Sequence, residues 1–428
     1  MGLFLTLLYV VLNHLSPPDT FASWAAYHIM LWLGLVAIAA SLPRVALGEF
    51  PFRAPQVYLM AGLVAAVGIS RFANHWYGGV MAGVADFITS GLVFYLVIIN
   101  VTTLGRLRML AIIVAFVSVY LLSRAVYAYY FSESPSPFLL VRATPFSGSD
   151  VAGGIAVRIR ALGFLHDPND FGQFLVVSLP LLALAWRPDR RLRNLFIVIL
   201  PACFLLCGIY LTHSRGALVG LMVVLGFALS RYLHPAGSLA IAVVAIILLL
   251  VPLSGGREIS MNEASTSGRL MAWGAGIGML KSSPVFGVGY DAFQESYNQT
   301  AHNSFVLCFA ELGLFGYFFW LGLIVYTLVE LNHLLRSIPA TAENDRLLRC
   351  AKLLRTSLAA FLVSAWFLSR TYIMTFYLLI GMAVALIEIL RREPAASPAP
   401  AGRGWKLTLA LEAGSILAVY AMVRSRSL

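Results

Sequence analysis

The sequence predicts an all-α polytopic integral membrane protein. Of its 428 residues, 60% are hydrophobic and only 11% are charged, and the mean hydropathy is +0.84. This composition excludes an ordinary soluble domain. A helix needs about 20 apolar residues to cross a hydrocarbon core of about 30 Å, and runs of that kind recur along almost the whole chain. A β-barrel would instead show short segments of alternating hydrophobicity.

The apolar runs predict about 12 transmembrane helices, since each is close to the length that a membrane span requires. The first run, Gly2 to Leu12, lacks the basic flank and the small-residue cleavage site of a signal peptide, so we expect a retained helix. The predicted spans are 1–15, 25–42, 55–71, 80–100, 109–130, 171–186, 194–212, 216–231, 237–253, 303–331, 354–369 and 371–390.

The basic residues predict the orientation of these spans. With the N-terminus in the cytoplasm, most basic clusters between spans fall inside, as the positive-inside rule expects. Two long segments, 131–170 and 254–302, then lie on the outer side. The inner clusters are Arg44 and Arg53; Arg106 and Arg108; Arg187, Arg190, Arg191 and Arg193; Arg336, Arg346, Arg349, Lys352 and Arg355; and Arg391 and Arg392.

The C-terminal region has two interpretations. Residues 393–404 are rich in Pro, Ala and Gly and are typical of a flexible linker. The stretch from Trp405 to Val423 is apolar enough for a thirteenth span, but a span would place Arg424 and Arg426 outside. We therefore favour an amphipathic helix on the inner face.

The cysteines predict neither a disulfide nor a zinc site. All four lie outside the predicted outer segments, and no CxxC pair or Cys/His cluster has metal-ligand spacing. The outer segments also contain no Asp-x-Asp pair, which favours chemistry without a metal or another cofactor.

Several arginines lie on the outer side, where the topology rule disfavours them. Snorkelling to lipid headgroups explains one or two of them. A converging set favours a phosphate or pyrophosphate ligand, because a guanidinium binds phosphate oxygens in a bidentate manner. The set comprises Arg142, Arg158, Arg160, Arg215, Arg257, Arg269 and Arg370.

The segment AHNSFVLCFAELGLFG, residues 301–316, places a titratable imidazole and an amide at the start of a long apolar helix. One interpretation of His302 and Asn303 is an interfacial helix cap. The other is a neutral base, because the helix dipole at an N-terminus disfavours the imidazolium. Upstream, Leu270, Trp273 and Ile277 have helical spacing, which predicts an amphipathic helix at the membrane surface.

Four motifs together resemble the bacterial O-antigen ligase family, which shares a domain with polysaccharide polymerases. The block 254–316 carries the most specific part of the resemblance. The motifs are His302-Asn303 followed after nine residues by Gly313-x-x-Gly316; Ser267-Gly268-Arg269 with Trp273, Pro284, Gly287-Val288-Gly289 and Phe293; Asp167-Pro168-Asn169-Asp170-Phe171; and His213-Ser214-Arg215-Gly216.

The resemblance implies a glycosyltransferase of the bacterial inner membrane with its active site on the periplasmic side. Such enzymes move a glycan from an undecaprenyl pyrophosphate carrier to a hydroxyl of lipid A-core. A polysaccharide polymerase or a protein O-oligosaccharyltransferase would use the same chemistry on another acceptor. In the predicted layout, transmembrane helices 1–5 lie in 1–130, helices 6–9 in 171–253 and helices 10–12 in 303–390. Periplasmic loops lie at 131–170 and at 254–302, and the second loop contains interfacial helices and the catalytic motif. Residues 391–428 form a cytoplasmic linker and an amphipathic tail.

The family's essential His and Arg residues carry over to His302, Arg215 and Arg269, with Arg160 and Arg142 as further candidates. Arginines can neutralise a departing pyrophosphate without a metal, and His302 can take the proton of the acceptor hydroxyl, which would invert the anomeric centre. His302 could instead only orient the acceptor. We expect support from Asn303, Asp167 and Asn169, although the last two also fit a turn and a helix cap.

A transporter or flippase of lipid-linked glycans is the rival of another class. No inverted repeat is visible, charges within spans are few, and polar residues concentrate in the outer loops, all of which favours an enzyme. A nucleic-acid partner is not expected, because topology explains the inner arginines.

Overall fold

The computed structural model describes residues 1–20, 29–132, 139–143, 156–229, 264–394 and 403–425, and it is 77% helical. The prediction of an all-α membrane protein is therefore confirmed. The longer helices are α1 (Gly2–Leu15), α3 (Ile29–Ala39), α5 (Pro55–Ala73), α6 (Gly79–Asn100), α7 (Leu104–Tyr130), α8 (Pro168–Ala183), α10 (Leu200–Leu211), α11 (Arg215–Leu229), α12 (Ala264–Ser282), α14 (Ser304–Ser337), α15 (Asp345–Ala365), α16 (Met374–Leu390) and α17 (Arg403–Arg424). The shorter ones are α2 (Pro17–Thr20), α4 (Leu42–Ala46), α9 (Arg191–Asn194) and α13 (Phe293–Tyr297), with a 3₁₀ turn at Gly163–Leu165 and a π-helical turn at Leu195–Ile199.

Seven of the described helical segments are long and apolar enough to cross a membrane. Three further apolar helices, α1, α11 and α16, are shorter. The predicted span at 237–253 lies outside the described residues, so the number twelve stays a prediction. The seven segments are Ile29–Ala46, Pro55–Ala73, Gly79–Asn100, Leu104–Tyr130, Arg191–Leu211, Ser304–Ser337 and Gly404–Arg424.

The centre of the fold is α14, which packs against α5, α12, α15, α16 and α17. Its large side chains Phe309, Tyr317 and Trp320 are fully buried. Burial on all sides is expected for a helix that is apolar around its whole circumference. This long helix therefore gives its N-terminal end, where His302 and Asn303 lie, a rigid support.

A break interrupts α14 at Gly313, whose φ of 63° lies in the left-handed region. The loop before α13 fills the break. Val288 N donates to Ala310 O at 3.0 Å, Gly289 N to Glu311 O at 3.0 Å, and Leu314 N to Pro284 O at 2.9 Å. A Cβ on Gly313 would collide with the backbone of Val285 and Gly287. The motif glycines therefore hold the loop against the broken helix.

The segment 131–170, which the sequence analysis predicted to be an outer loop, contains a small sheet. Strands β1 (Leu140–Ala143) and β2 (Ala156–Ile159) pair antiparallel, with Val141 opposite Arg158 and Arg142 opposite Val157. This ladder fixes the direction of the chain as it approaches α8.

Helix α17 packs lengthwise along α14. Gly404 lies beside Tyr326, Ser415 Oγ is 2.7 Å from Tyr317 Oη, and Lys281 Nζ lies 5.3 Å from the ring centroid of Tyr420. The two helices are therefore antiparallel. By length and hydropathy α17 is also a candidate membrane span, so the amphipathic helix on the inner face that the sequence analysis preferred stays a prediction.

Candidate active site

His302 lies directly before the N-terminus of α14. It is half-buried, and its φ of 49° turns the backbone sharply into the helix. Asn303 is the N-cap: its Oδ1 accepts from Phe305 N at 2.9 Å and from Val306 N at 3.2 Å. Asn303 is fully buried, and its Nδ2 makes no hydrogen bond within the described residues. The cap fixes the helix start, and with it the position of His302.

Helix α12 brings Arg269 to His302. Trp273 Nε1 donates to Ala301 O at 3.0 Å, which ties α12 to the residue before His302. Arg269 lies four residues before Trp273 and therefore on the same face of the helix. The hydrogen bond of Trp273 thus holds the helix face that carries Arg269 close to His302.

The turn between α15 and α16 brings Arg370 to the same place. Ser304 Oγ donates to Leu368 O at 2.6 Å and accepts from Arg370 N at 2.7 Å, while Thr371 Oγ1 donates to Ser304 O at 2.7 Å. The first residue of α14 therefore holds the turn, and the Arg370 side chain lies within electrostatic range of His302.

The start of α8 supplies the carboxylates. Asp167 is the N-cap of α8, and its Oδ1 accepts from Asn169 N at 2.7 Å. Asp170 is buried and forms an ion pair with the Arg370 guanidinium. A buried carboxylate with a charged partner holds that partner firmly, because breaking the pair would leave an uncompensated charge. Asp170 therefore orients Arg370.

The surroundings of His302 favour its neutral form. Burial lowers the pKa of His302, the nearby Arg269 and Arg370 lower it further, and Asp167 opposes them. The imidazole is therefore uncharged at neutral pH and able to accept a proton. The same interactions indicate that the charges of Arg269, Asp167 and Arg370 lie within electrostatic range of His302.

A second arginine group lies beside this pocket, where β2 meets the turn between α10 and α11. Arg158 Nε donates to Thr212 O at 2.8 Å, and its Nη2 donates to Asn169 Oδ1 at 3.0 Å. His213 is next to Thr212, and its pKa is lowered by burial and by the charge of Arg158. Arg215 begins α11 two residues later.

The structure therefore brings together most of the residues that the sequence analysis selected. Asn169 orients Arg158 and Asp167 is a cap near His302. Arg160 Nη1 donates to His166 O at 2.8 Å, one residue before Asp167. Arg142 lies in β1 opposite Val157. The phosphate-binding roles of Arg142, Arg160, Arg215 and Arg269 stay predictions.

Three residues of the pocket and of the arginine group beside it were not selected as site residues from the sequence. Arg158 and Arg370 were noticed only as outer arginines, and Asp170 only as part of a motif. Arg370 contacts Ser304 and Asp170 across 66 and 200 residues of chain, so no local pattern could place it. Its charge at the outer end of a span was the one available signal.

Within the described part of the chain, no group of three or more His, Cys, Asp or Glu residues has the geometry to hold a metal ion. What the fold and the pocket define is a membrane protein with a basic pocket around a neutral histidine, at the end of a buried helix.

Residues 200–321 match the family model described as O-antigen ligase. This part of the chain is therefore similar to the O-antigen ligase family, and the resemblance stated from its motifs is confirmed. The matched range includes Arg215, Arg269 and His302, whereas Arg158, Asp170 and Arg370 lie outside it. No curated protein matches the chain.

Proposed function

We propose that the chain is an inner-membrane glycosyltransferase of the O-antigen ligase type. It transfers a glycan from undecaprenyl pyrophosphate to a hydroxyl of lipid A-core, on the periplasmic side of the membrane. The observation that carries this proposal is the neutral His302 among the charges of Arg269, Arg370 and Asp167. The family match supports ligase-type or polymerase-type chemistry in general.

The arginines bind and neutralise the leaving group. Pyrophosphate departs with negative charge, and guanidinium groups fixed in advance stabilise that charge without reorganisation. Arg158 and Arg370 are held by Asn169 and by Asp170, respectively. Together with Arg269 and Arg215 they supply positive charge around the pocket. The residue set supports a metal-independent reaction.

His302 takes the proton of the acceptor hydroxyl as the new glycosidic bond forms at the anomeric carbon. The bond from that carbon to the pyrophosphate oxygen breaks in the same step, and the anomeric centre inverts. The left-handed backbone at His302 and the Asn303 cap hold the imidazole at the helix end. Asp167 favours the imidazolium that results, because its charge raises the pKa of His302.

The direct test is transfer by the purified full chain in detergent, with an undecaprenyl pyrophosphate-linked glycan and lipid A-core. We expect a glycosylated lipid product, and Arg269→Ala should lower its rate. Arg190→Ala is the matched control, because Arg190 is exposed and lies between α8 and α9, remote in sequence from the pocket residues. A glycosylated product that appears only with a glycan repeat or a protein as acceptor would favour the polymerase or the protein O-oligosaccharyltransferase. Movement of the donor across a vesicle membrane without a new glycosidic bond would instead favour a transporter.

A separate experiment tests the proposed orientation of the chain in the membrane. In a chain with its four cysteines replaced by alanine, Gln299→Cys should react with an impermeant maleimide added from the periplasmic side. Gln299 is exposed and lies three residues before His302. Glu343→Cys, in the exposed turn between α14 and α15, should react only after the membrane is opened. The reverse pattern would contradict the proposed orientation.

A further inference from the structure

Three arginines from separate helices meet at residues 183–185, the C-terminal end of α8. They come from α7, α9 and α15, and each donates to a backbone carbonyl of this helix end. Because the three carbonyls belong to successive residues, the guanidiniums lie within roughly 10 Å of one another. The contacts are Arg108 Nη2 to Leu184 O at 2.8 Å, Arg193 Nη1 to Ala185 O at 2.7 Å, and Arg349 Nη2 to Ala183 O at 3.2 Å.

The carbonyl groups alone do not balance the charge of these guanidiniums. A helix C-terminus carries about half a negative charge, far less than several arginines bring. Within the described residues, neither Arg108 nor Arg193 forms an ion pair with a carboxylate. Asp189 and Asp345, the nearest acids in the chain to Arg193 and Arg349, are exposed. The end of α8 is therefore a place where an anion would be stabilised.

The guanidiniums also have donors that an anion can use. In the part of the chain that the structure describes, Arg108 Nη1 and Arg193 Nε make no hydrogen bond. Both side chains are partly exposed, so a ligand can reach these N–H groups. A guanidinium has five N–H donors in a fixed plane, so one edge can hold the helix end while another binds a phosphate.

The loop between α8 and α10 holds Arg193 in position. Asn194 is only 1% exposed; its Oδ1 accepts from Arg187 N at 2.9 Å, and its Nδ2 donates to Arg187 O. The π-helical turn at Leu195–Ile199 follows directly, and such turns are frequent at functional sites. The position of Arg193 against α8 is thus fixed by the fold itself.

The residues beside Arg193 indicate the level of lipid headgroups. Trp186 is partly exposed and follows the end of α8, and tryptophan is enriched where a membrane meets water. Leu192 and Phe196 flank Arg193 in the chain and are 76% and 62% exposed. A lipid would therefore find charge for its phosphate and an apolar surface for its acyl chains at one place.

We propose that Arg108, Arg193 and Arg349 bind the phosphate of an anionic phospholipid in the inner leaflet. Guanidiniums form strong charge-assisted hydrogen bonds with phosphate oxygens, and basic pockets between transmembrane helices on the cytoplasmic side bind anionic headgroups. A zwitterionic lipid brings an ammonium group that the arginines repel, so the site selects net negative charge. The leaflet follows from the proposed orientation, and the site does not depend on the proposed glycan transfer.

The test measures lipid binding to the full chain in a neutral detergent by native mass spectrometry. The probes are phosphatidylglycerol and phosphatidylethanolamine with the same acyl chains. We expect phosphatidylglycerol to bind at least about tenfold more tightly, as a charge-assisted phosphate contact without an opposing ammonium group allows. Equal binding of the two lipids by the wild-type chain would overturn the proposal without the need for any variant.

Free phosphate is the other possible source of the anion. Excess inorganic phosphate should not displace phosphatidylglycerol, because it lacks the acyl chains that Leu192 and Phe196 contact. Displacement by inorganic phosphate would show a site for a soluble anion and would contradict the assignment to a lipid.

Variants separate a defined site from the general positive charge of the inner face. Arg193→Ala should weaken phosphatidylglycerol binding by about tenfold, and Arg193→Lys by less, since lysine keeps the charge and loses the planar fork. Arg190→Ala is the matched control, because Arg190 is exposed in the same loop, and binding should stay nearly unchanged. Thermal unfolding in detergent checks that each variant folds. Equal weakening by Arg190→Ala and Arg193→Ala would show that only overall charge attracts the lipid, and the site would be wrong.

The lipid site and the proposed function can fail separately. If phosphatidylglycerol is selected but the chain transfers no glycan, the proposed function fails and the lipid site remains. If glycan transfer is observed and both lipids bind equally, only the lipid site is wrong. If maleimide labelling reverses the orientation, the assignment to the inner leaflet is wrong.

Discussion

The pocket around His302 and the residues around Tyr290 are both contacted by the segment 370–372, and they differ in charge. Arg370 extends into the His302 pocket and pairs with Asp170, whereas Tyr372 packs against Tyr290. The exposed Asp86 and Asp291 lie beside Tyr290, and the buried Arg71 donates to carbonyl groups there. In the His302 pocket and the arginine group beside it, by contrast, arginines outnumber acids: the arginines are Arg158, Arg215, Arg269 and Arg370, and the acids are Asp167 and Asp170.

The difference shows that one short segment of backbone separates surroundings of different charge. An anion such as the pyrophosphate of the proposed donor is expected to be attracted to the basic pocket and repelled by the exposed acids around Tyr290. We expect substitutions in the two regions to affect stability and activity to different extents.

The largest effect should come from the glycine contact that supports both regions. Gly313→Val adds a side chain at a left-handed φ, where it would collide with the backbone of Val285 and Gly287. We expect a loss of about 3 kcal/mol or more in stability, enough to remove most folded protein. Thermal unfolding in detergent measures this loss of stability. Gly278→Ala is the control, since nothing lies within 4 Å of its added Cβ and the chain should stay folded.

The next effect concerns the basic pocket alone. Arg269→Ala should weaken donor binding by about 10–100-fold, because one charge-assisted contact of about 1.5–3 kcal/mol is lost. Arg269→Lys should recover part of that loss, since it keeps the charge and loses the planar fork. Titration of the lipid-linked donor provides the measurement. Full recovery by lysine would show that only charge matters at this position.

A smaller effect should appear in the dependence of turnover on pH. A neutral His302 is active as a base, so turnover falls as pH drops through its lowered pKa. Arg269→Gln removes a charge that lowers the pKa of His302, so the acidic side of the pH–rate profile should shift to higher pH at saturating donor. Asp167→Asn removes a charge that raises the same pKa and should shift the acidic side of the profile to lower pH. Shifts in the same direction for both variants would exclude an electrostatic cause.

The smallest effect should come from removing divalent cations. With arginines neutralising the pyrophosphate, excess EDTA should leave the transfer rate unchanged. A rate that falls and is restored by magnesium or manganese would reveal a carboxylate–metal site, and Asp167 or Asp170 would be the first residues to replace.

Much of the basic pocket could be predicted from the sequence, because its motif residues are ordered by local structure. His302 and Arg269 were selected through the resemblance to the O-antigen ligase family. Local structure agrees with that selection, because His302 and Asn303 precede an apolar run and Arg269 shares a helix face with Trp273. Arg370 and Asp170 depend on contacts between distant helices, which no local pattern reveals. The acids around Tyr290 were missed for the same reason: Asp86 and Tyr290 meet across 204 residues.

The fold also has features that the local sequence predicts and features that depend on contacts between distant residues. Apolar length predicted most helices, yet the break at Gly313 results from a loop that inserts from outside α14. The interpretation of 405–423 as an inner amphipathic helix relied on charge at the chain end, whereas its contact with α14 is visible only in the structure. Positive-inside reasoning weighs flanking charges and carries no information on such packing.

The proton-accepting role of His302 is the central claim, and one paired measurement tests it most directly. Turnover and donor affinity are determined for His302→Ala beside Arg269→Ala, after both variants are shown to fold. We predict that His302→Ala lowers turnover by about 10²–10⁴-fold, as general-base loss does, with donor affinity nearly unchanged. A loss of donor affinity in His302→Ala as severe as in Arg269→Ala would make His302 a phosphate ligand and contradict the account.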